Sequence, residues 1–171
     1  LLDYLEDGHF FGIDISEDNI HRARARASEL SRHKPNLAVA ARFEIDQIWP
    51  KARFDMVLAA SLFTHLWPPD VKECLRRISS VLRGKLFATI FKDNTVDVFD
   101  GWCGSCFEHR DDHTVALTAR QQNAASLNFC YNTVWLERVS RECGLQMKEV
   151  GLTEIGQHML QLSPILSRHP S

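Results

Sequence analysis

The chain has no glycine-rich loop. Its eight glycines are scattered, and none forms the Gly-x-Gly turn with which a strand hands a phosphate or a cofactor tail to a following helix. It also has no long apolar run: the longest are strand-sized, so no membrane span is expected. It opens on neither a methionine nor a basic-then-apolar pattern, and a secreted protein is not expected. An excess of charge of one sign is nearly absent. A net charge of −2 gives no basic field for nucleic acid, which is not an expected partner. The five cysteines are an odd set, and only Cys103 and Cys106 are close in sequence. That argues against a disulfide framework and points to the reducing cytoplasm. Internal repeats and low-complexity tracts are missing too.

What is present suits one soluble domain, 1–171, since 44% hydrophobic content over 171 residues can build a real core. The most informative run is Phe10-Phe11-Gly12-Ile13-Asp14-Ile15-Ser16, followed by a helical stretch from Glu17 to Ser31. A carboxylate at the carboxyl end of a buried strand is where open α/β sheets take hold of a ribose, because it accepts hydrogen bonds from vicinal hydroxyls.

Upstream, Leu1, Leu2, Tyr4 and Leu5 form a helix-like stripe that stops at Asp7-Gly8. Ser16 stands as N-cap with Glu17 and Asp18 in the first turn, and Ile20, Ala23, Ala27 and Leu30 mark one face. A short strand is expected over Val39 to Ile45, with Asp46-Gln47 as its polar tail. Phe54 to Ala60 is a second buried strand that opens into Ser61-Leu62-Phe63-Thr64-His65-Leu66. Pro68-Pro69-Asp70 starts a helix with Val71, Cys74, Leu75, Ile78, Val81 and Leu82 as its stripe, Gly84 as its stop and Lys85 to Phe91 as the next strand. This alternation implies a parallel sheet. The stretch 92–130 has weak periodicity and mixed charge, and its length predicts a lid or substrate-side insertion. Asn132 to Cys143 is helical again, with Gly144 as its stop. Leu145–Leu152 and His158–Ser163 alternate as an antiparallel pair.

In order and spacing, "GHFFGIDIS", "FDMVLAASLFTHL", "LRRISSVLRGKLFATIF" and "WLERVSRECGLQMKEVG" resemble the second strand, the fourth strand with its loop, the helix with the fifth strand, and the last helix with the sixth strand of the class I S-adenosylmethionine-dependent methyltransferases. The resemblance covers nearly the whole chain. It implies a Rossmann-like α/β fold, a mostly parallel sheet with an antiparallel C-terminal strand pair, whose first strand and glycine-rich loop have no counterpart here. The expectation is a fragment, incomplete at its N-terminus; a degenerate relative is the alternative. A sheet without its central strand is expected to expose apolar edges.

The resemblance further implies that S-adenosylmethionine is the cofactor and a small molecule the methyl acceptor. Asp14 would hold the ribose and Ile15 pack on the adenine. Asp46 and Gln47 would read the adenine amino group, and Ala60 and Ser61 would end the fourth strand beneath the cofactor. Plain local roles stand beside each of these: a helix cap for Asp14, a surface loop for Asp46, strand packing for Ala60 and Ser61. Methyl transfer needs a base only when the acceptor must lose a proton, so no catalytic residue is required; His65 is the one candidate. Phe63 and Trp67 either shape an acceptor pocket or pack in the core. Trp102-Cys103-Gly104-Ser105-Cys106 resembles a thioredoxin redox motif, and Cys103, Cys106, His109 and His113 form a compressed zinc-like set; a substrate-side loop with two thiols is the preferred account, with no metal. Arg24, Arg26, Arg32, His33 and Lys34 are expected to be a solvated face. The competing functions are a non-catalytic interaction module and a nicotinamide-dinucleotide oxidoreductase, which also places an acid after its second strand. The antiparallel ending favours the methyltransferase.

Overall fold

A computed structural model of the chain describes residues 5–30, 34–92, 94, 104–109, 114–116 and 127–165. The chain divides into two compact units, Leu1–Ala52 and Arg53–Ser171.

The first unit is a strand–helix–strand motif with a short helix behind it: β1 (Phe11–Asp14), α1 (Glu17–Leu30), β2 (Asn36–Val39) and α2 (Ile45–Ile48). The two strands pair in parallel, with Phe11 opposite Asn36 and Asp14 opposite Val39. Ser16 starts α1 as expected, its Oγ accepting the Asn19 N–H at 3.3 Å. Glu17 and Asp18 sit in the first turn, where the positive end of the helix dipole favours them. Ile20 and Ala27 are buried, whereas Ala23 and Leu30 are exposed, so the apolar stripe is narrower than its spacing suggests. The helix stripe over Leu1–Tyr4, and Arg32 and His33 of the basic run, lie outside the described residues.

The strand expected over Val39 to Ile45 instead occupies Asn36–Val39. Pairing with β1 sets this register. The Asn36 N–H donates to Phe10 O at 2.8 Å, and the ladder closes where the Ala40 N–H reaches Asp14 O at 2.9 Å. Phe43 then takes a left-handed φ of 60°, and the chain turns into α2. Asp46 and Gln47 are therefore helical rather than a strand's tail. Trp49, just past α2, meets Phe11 edge-on at 5.0 Å between ring centroids and ties the short helix to β1.

The second unit holds β3 (Phe54–Ala59), a 3-10 turn (Phe63–His65), α3 (Pro68–Val81), β4 (Leu82–Lys92), β5 (Gly104–His109), β6 (Thr114–Ala116), β7 (Leu127–Tyr131), α4 (Thr133–Glu142), β8 (Leu145–Leu152) and β9 (His158–Pro164). The sheet runs β6-β5-β7-β4-β9-β8, and β3 also pairs with β4. β3 and β7 are parallel to β4. The C-terminal β8–β9 pair is antiparallel, and β9 is antiparallel to β4. This is a mixed α/β, Rossmann-like arrangement with parallel strands in both units and the expected antiparallel ending. The weakly periodic 92–130 segment contributes β5, β6 and most of β7.

β4 is the centre of this unit. Its Leu86, Ala88 and Ile90 are fully buried, with Leu160 and Leu162 of β9 on one side and Val71, Leu75 and Ile78 of α3 in the same core. Each leucine, isoleucine or valine among them contributes about 2 kcal/mol of transfer free energy. Pro residues fill the first positions of α3, where a missing N–H costs nothing. The helix was expected to run to a stop at Gly84, but it ends at Val81 and passes directly into β4. Gly84 lies inside that strand, opposite a register shift between Phe54 and Met56. In α4 the cap is Asn132, whose side chain accepts the Val134 N–H at 2.9 Å. Trp135, Leu136, Val139 and Ser140 are its buried face, while Val134 is exposed. Gly144 ends it with φ +76°.

Candidate functional site

In the first unit the geometry centres on Asp14, the last residue of β1. Its Oδ1 accepts the Ser16 N–H at 2.7 Å and the Asn19 Nδ2 at 3.1 Å. Among the described residues, no bond reaches Oδ2. The first of these contacts is a local Asx turn, so the capping role weighed for Asp14 is real, but it uses only one oxygen. The carboxylate is thereby fixed in direction with its second oxygen available to a donor. Beside it, Ile15 is 72% exposed, an unusual placement for a large aliphatic side chain at the end of a strand. A carboxylate oxygen for hydroxyl donors and an apolar platform for a flat ring thus occur on consecutive residues. These suit an adenosine, whose ribose donates and whose base stacks. Asp46 is half-buried and Gln47 exposed on α2.

In the second unit, Ala60 is exposed and Ser61 half-buried at the carboxyl end of β3. Ser61 has φ +55°, a left-handed conformation that costs a non-glycine residue on the order of 1 kcal/mol. It is held on three sides. Its N–H donates to Thr89 Oγ1 at 2.7 Å, its hydroxyl donates to Gln157 Oε1 at 3.0 Å, and its carbonyl accepts from Thr64 Oγ1 at 2.7 Å. The Thr89 hydroxyl also donates to Gln157 Oε1, at 2.6 Å. Thr89 and Gln157 are both buried, so these bonds satisfy polar groups that would otherwise be costly in the core. Sequence reasoning missed both. Thr89 carried a faint signal, as the one hydroxyl in the apolar run Leu86–Phe91; Gln157, just before a hairpin strand, carried none.

His65 is exposed at the end of the 3-10 turn. Phe63 is fully buried and is core, not a pocket wall. Trp67 is half-buried, its ring 5.1 Å from that of Phe129. Tyr131 donates its hydroxyl to Leu66 O, so β7 braces the segment that follows the 3-10 turn.

Of the redox and zinc motifs, Trp102, Cys103 and His113 lie outside the described residues. Gly104–His109, which carries Cys106 and His109, is a strand, whereas a thioredoxin-type motif needs a helix there. Among the described residues, Cys74, Cys130 and Cys143 are free thiols, and no three His, Cys, Asp or Glu side chains cluster as metal ligands. Burial pushes the Cys74 thiol up to about 12, which leaves it inert. No described helix is long and apolar enough to cross a membrane.

Residues 1–84 match a family model described as "Methyltransferase domain". The chain is similar in fold to a crystal structure of magnesium protoporphyrin IX methyltransferase from Synechocystis PCC 6803 with bound SAH, at 11% identity and TM-score 0.60, over 89% of this chain and 62% of that one. It is also similar to an S-adenosylmethionine-dependent methyltransferase from Clostridium acetobutylicum ATCC 824, at 11% identity and TM-score 0.64, over 95% and 77%. A third similar structure is the CcbJ methyltransferase from Streptomyces caelestis, at 13% identity and TM-score 0.62, over 92% and 75%. The chain thus spans less than two thirds of the length of the Synechocystis protein.

Proposed function

We propose that this chain is a member of the class I S-adenosylmethionine-dependent methyltransferase family and transfers a methyl group from S-adenosylmethionine to a small-molecule acceptor. The observation that carries this reading is the pairing at the end of β1: Asp14 with one oxygen tied down and the other available, beside an exposed Ile15. Asp14 accepts from the ribose hydroxyls, and Ile15 packs on the adenine. Asp46 and Gln47 read the exocyclic amino group. In the second unit, Ala60 and Ser61 form the small-residue turn that lets the cofactor approach the chain closely. The cofactor, when bound, supplies a methyl group activated on a sulfonium. The protein then has to orient the acceptor in line with it and exclude water. His65, exposed after β3, is the candidate to take a proton where the acceptor has one to lose.

A small-molecule acceptor is supported by the porphyrin in the name of the Synechocystis enzyme and by a net charge of −2, which gives a nucleic acid nothing to follow. The free thiols support a reducing, cytoplasmic setting. We take 92–130 to be a substrate-side insertion on the methyltransferase domain.

Asp14→Asn tests the reading with little effect on the fold, because asparagine keeps an oxygen for the Ser16 N–H and replaces the other with a donor. Adenosylhomocysteine binding, measured by titration calorimetry, should weaken by about 2 kcal/mol, roughly thirtyfold, with an unchanged melting temperature. The same affinity in both proteins would remove the ribose assignment. Binding of NAD in place of adenosylhomocysteine would favour the oxidoreductase, and binding of neither the interaction module.

A further inference from the structure

The roles above leave Thr89 and Gln157 unused, although both are buried polar side chains and both converge on Ser61. A serine free to relax would leave the left-handed region, so the turn after β3 is held by its contacts rather than by its own preference. Two of those contacts, at the Ser61 N–H and hydroxyl, end on the Thr89–Gln157 pair. Gln157 is itself seated independently of Ser61. Its N–H donates to Thr153 Oγ1 at 3.0 Å, and its carbonyl accepts the Thr153 N–H at 2.8 Å. Gly156, at φ +78°, turns the chain between them.

Topology explains how so distant a residue arrives there. β9 runs antiparallel to β4 with His158 opposite Ile90, so the residue that precedes β9 falls at the carboxyl end of β4. β3 is parallel to β4 with Ala59 opposite Ala88, which brings the turn at Ser61 to that same end. The hairpin is more than an edge extension of the sheet; it delivers one amide to the turn where two parallel strands finish.

We propose that Gln157 is a positioning residue of the methyltransferase site: from the β8–β9 turn, its carbonyl oxygen clamps the Ser61 and Thr89 hydroxyls and fixes the left-handed turn that the cofactor meets after β3. The proposal rests on the reading of Ser61 as a cofactor-side residue. A glutamine that merely satisfied the core would stabilise the fold without acting on ligand affinity through Ser61, and the two roles separate in a double-mutant cycle.

The test uses the full chain as wild type, Gln157→Ala, Ser61→Gly and the double variant, with two readouts. Amide hydrogen exchange reads the clamp without any ligand. In Gln157→Ala, exchange at Ser61 should speed up by about tenfold or more, while Leu86 and Ile90 in β4 keep their protection. Titration with adenosylhomocysteine reads its consequence. Gln157→Ala should lose about tenfold in affinity when residue 61 is serine and less than about threefold when it is glycine. Equal losses in both backgrounds, or unaltered exchange at Ser61, would overturn the proposal. Should the wild type take up no adenosylhomocysteine while exchange at Ser61 still responds to Gln157, the methyltransferase reading falls and the positioning of Ser61 by Gln157 is upheld. Thr89→Val serves as a second variant if Gln157→Ala does not fold. It preserves shape, removes the acceptor of the Ser61 N–H, and must produce the same local acceleration.

Discussion

A methyl group built on Gly84 would lie 2.0 Å from the carbonyl oxygen of Asp55, closer than any real contact. The reason is a bulge. Between Phe54 and Met56 on β3 the chain advances two residues, while β4 advances three, from Leu82 to Lys85. The extra residue presses the β4 backbone against Asp55, and only a residue without a Cβ fits there. Gly84→Ala should therefore destabilise the protein by on the order of 2 to 3 kcal/mol through displaced backbone. Urea unfolding measures this, and a loss below about 0.5 kcal/mol would mean that the bulge shifts freely. Ser61 shows the opposite arrangement: a left-handed position kept as serine, with a side chain that bonds to the groups holding it. In the one case the sequence yields to the backbone, and in the other the surroundings overrule the residue's preference.

At the scale of the element, α3 carries its own charge pattern. Glu73 accepts two bonds from Arg76 and one from Arg77, each at 2.7 Å, across i,i+3 and i,i+4 spacings. Arg76 first and then Arg77 hold its carboxyl down at about 2, against an ordinary 4.5. A depressed folded pKa means stabilisation that is complete above pH 4.5 and fades as pH falls toward 2. The carboxylate is solvent-accessible, so the effect is at most about 1 kcal/mol. Glu73→Gln should lower the urea midpoint slightly at pH 6 and flatten its decline between pH 4.5 and 2. An acid limb identical to that of wild type would mean the cluster contributes nothing. The elements themselves were legible to different degrees. α1, α3, α4 and the β8–β9 hairpin follow from caps and apolar spacing. β2 was set three residues late, because Asn36–Val39 is too short to alternate and takes its register from β1. Ile45 looked like the end of a strand, yet it starts one helical turn. Of the candidate residues, Asp14 in the first unit and Ser61 in the second could each be found from a place at a strand's end. Gln157 could not, since its link to Ser61 spans 96 positions of sequence and exists only through strand order.

At the scale of the whole molecule, large exposed apolar side chains stand two residues apart on a strand at two places among the described residues, Val150 and Leu152 on β8 and Met56 and Leu58 on β3, while Ile155 lies in the β8–β9 turn. On β3, Met56 and Leu58 are 56% and 62% exposed and, two residues apart on a strand, share a face. Among the described residues, β3 pairs within the sheet only with β4. Met56 and Leu58 thus form an apolar face on a strand that has one partner among the described residues. A net charge of −2 opposes association weakly, because self-repulsion grows with the square of the charge. The chain should accordingly self-associate at tens of micromolar, about the concentration at which apolar patches begin to meet. Leu58→Glu breaks the patch and takes the formal charge from −2 to −3, so it should move the sedimentation profile toward monomer. Ile155→Glu makes the same change of charge outside β3 and should leave most of the association in place. If both variants dissociate the protein equally, net charge governs association and the β3 face does not; if neither does, the contact lies elsewhere on the surface.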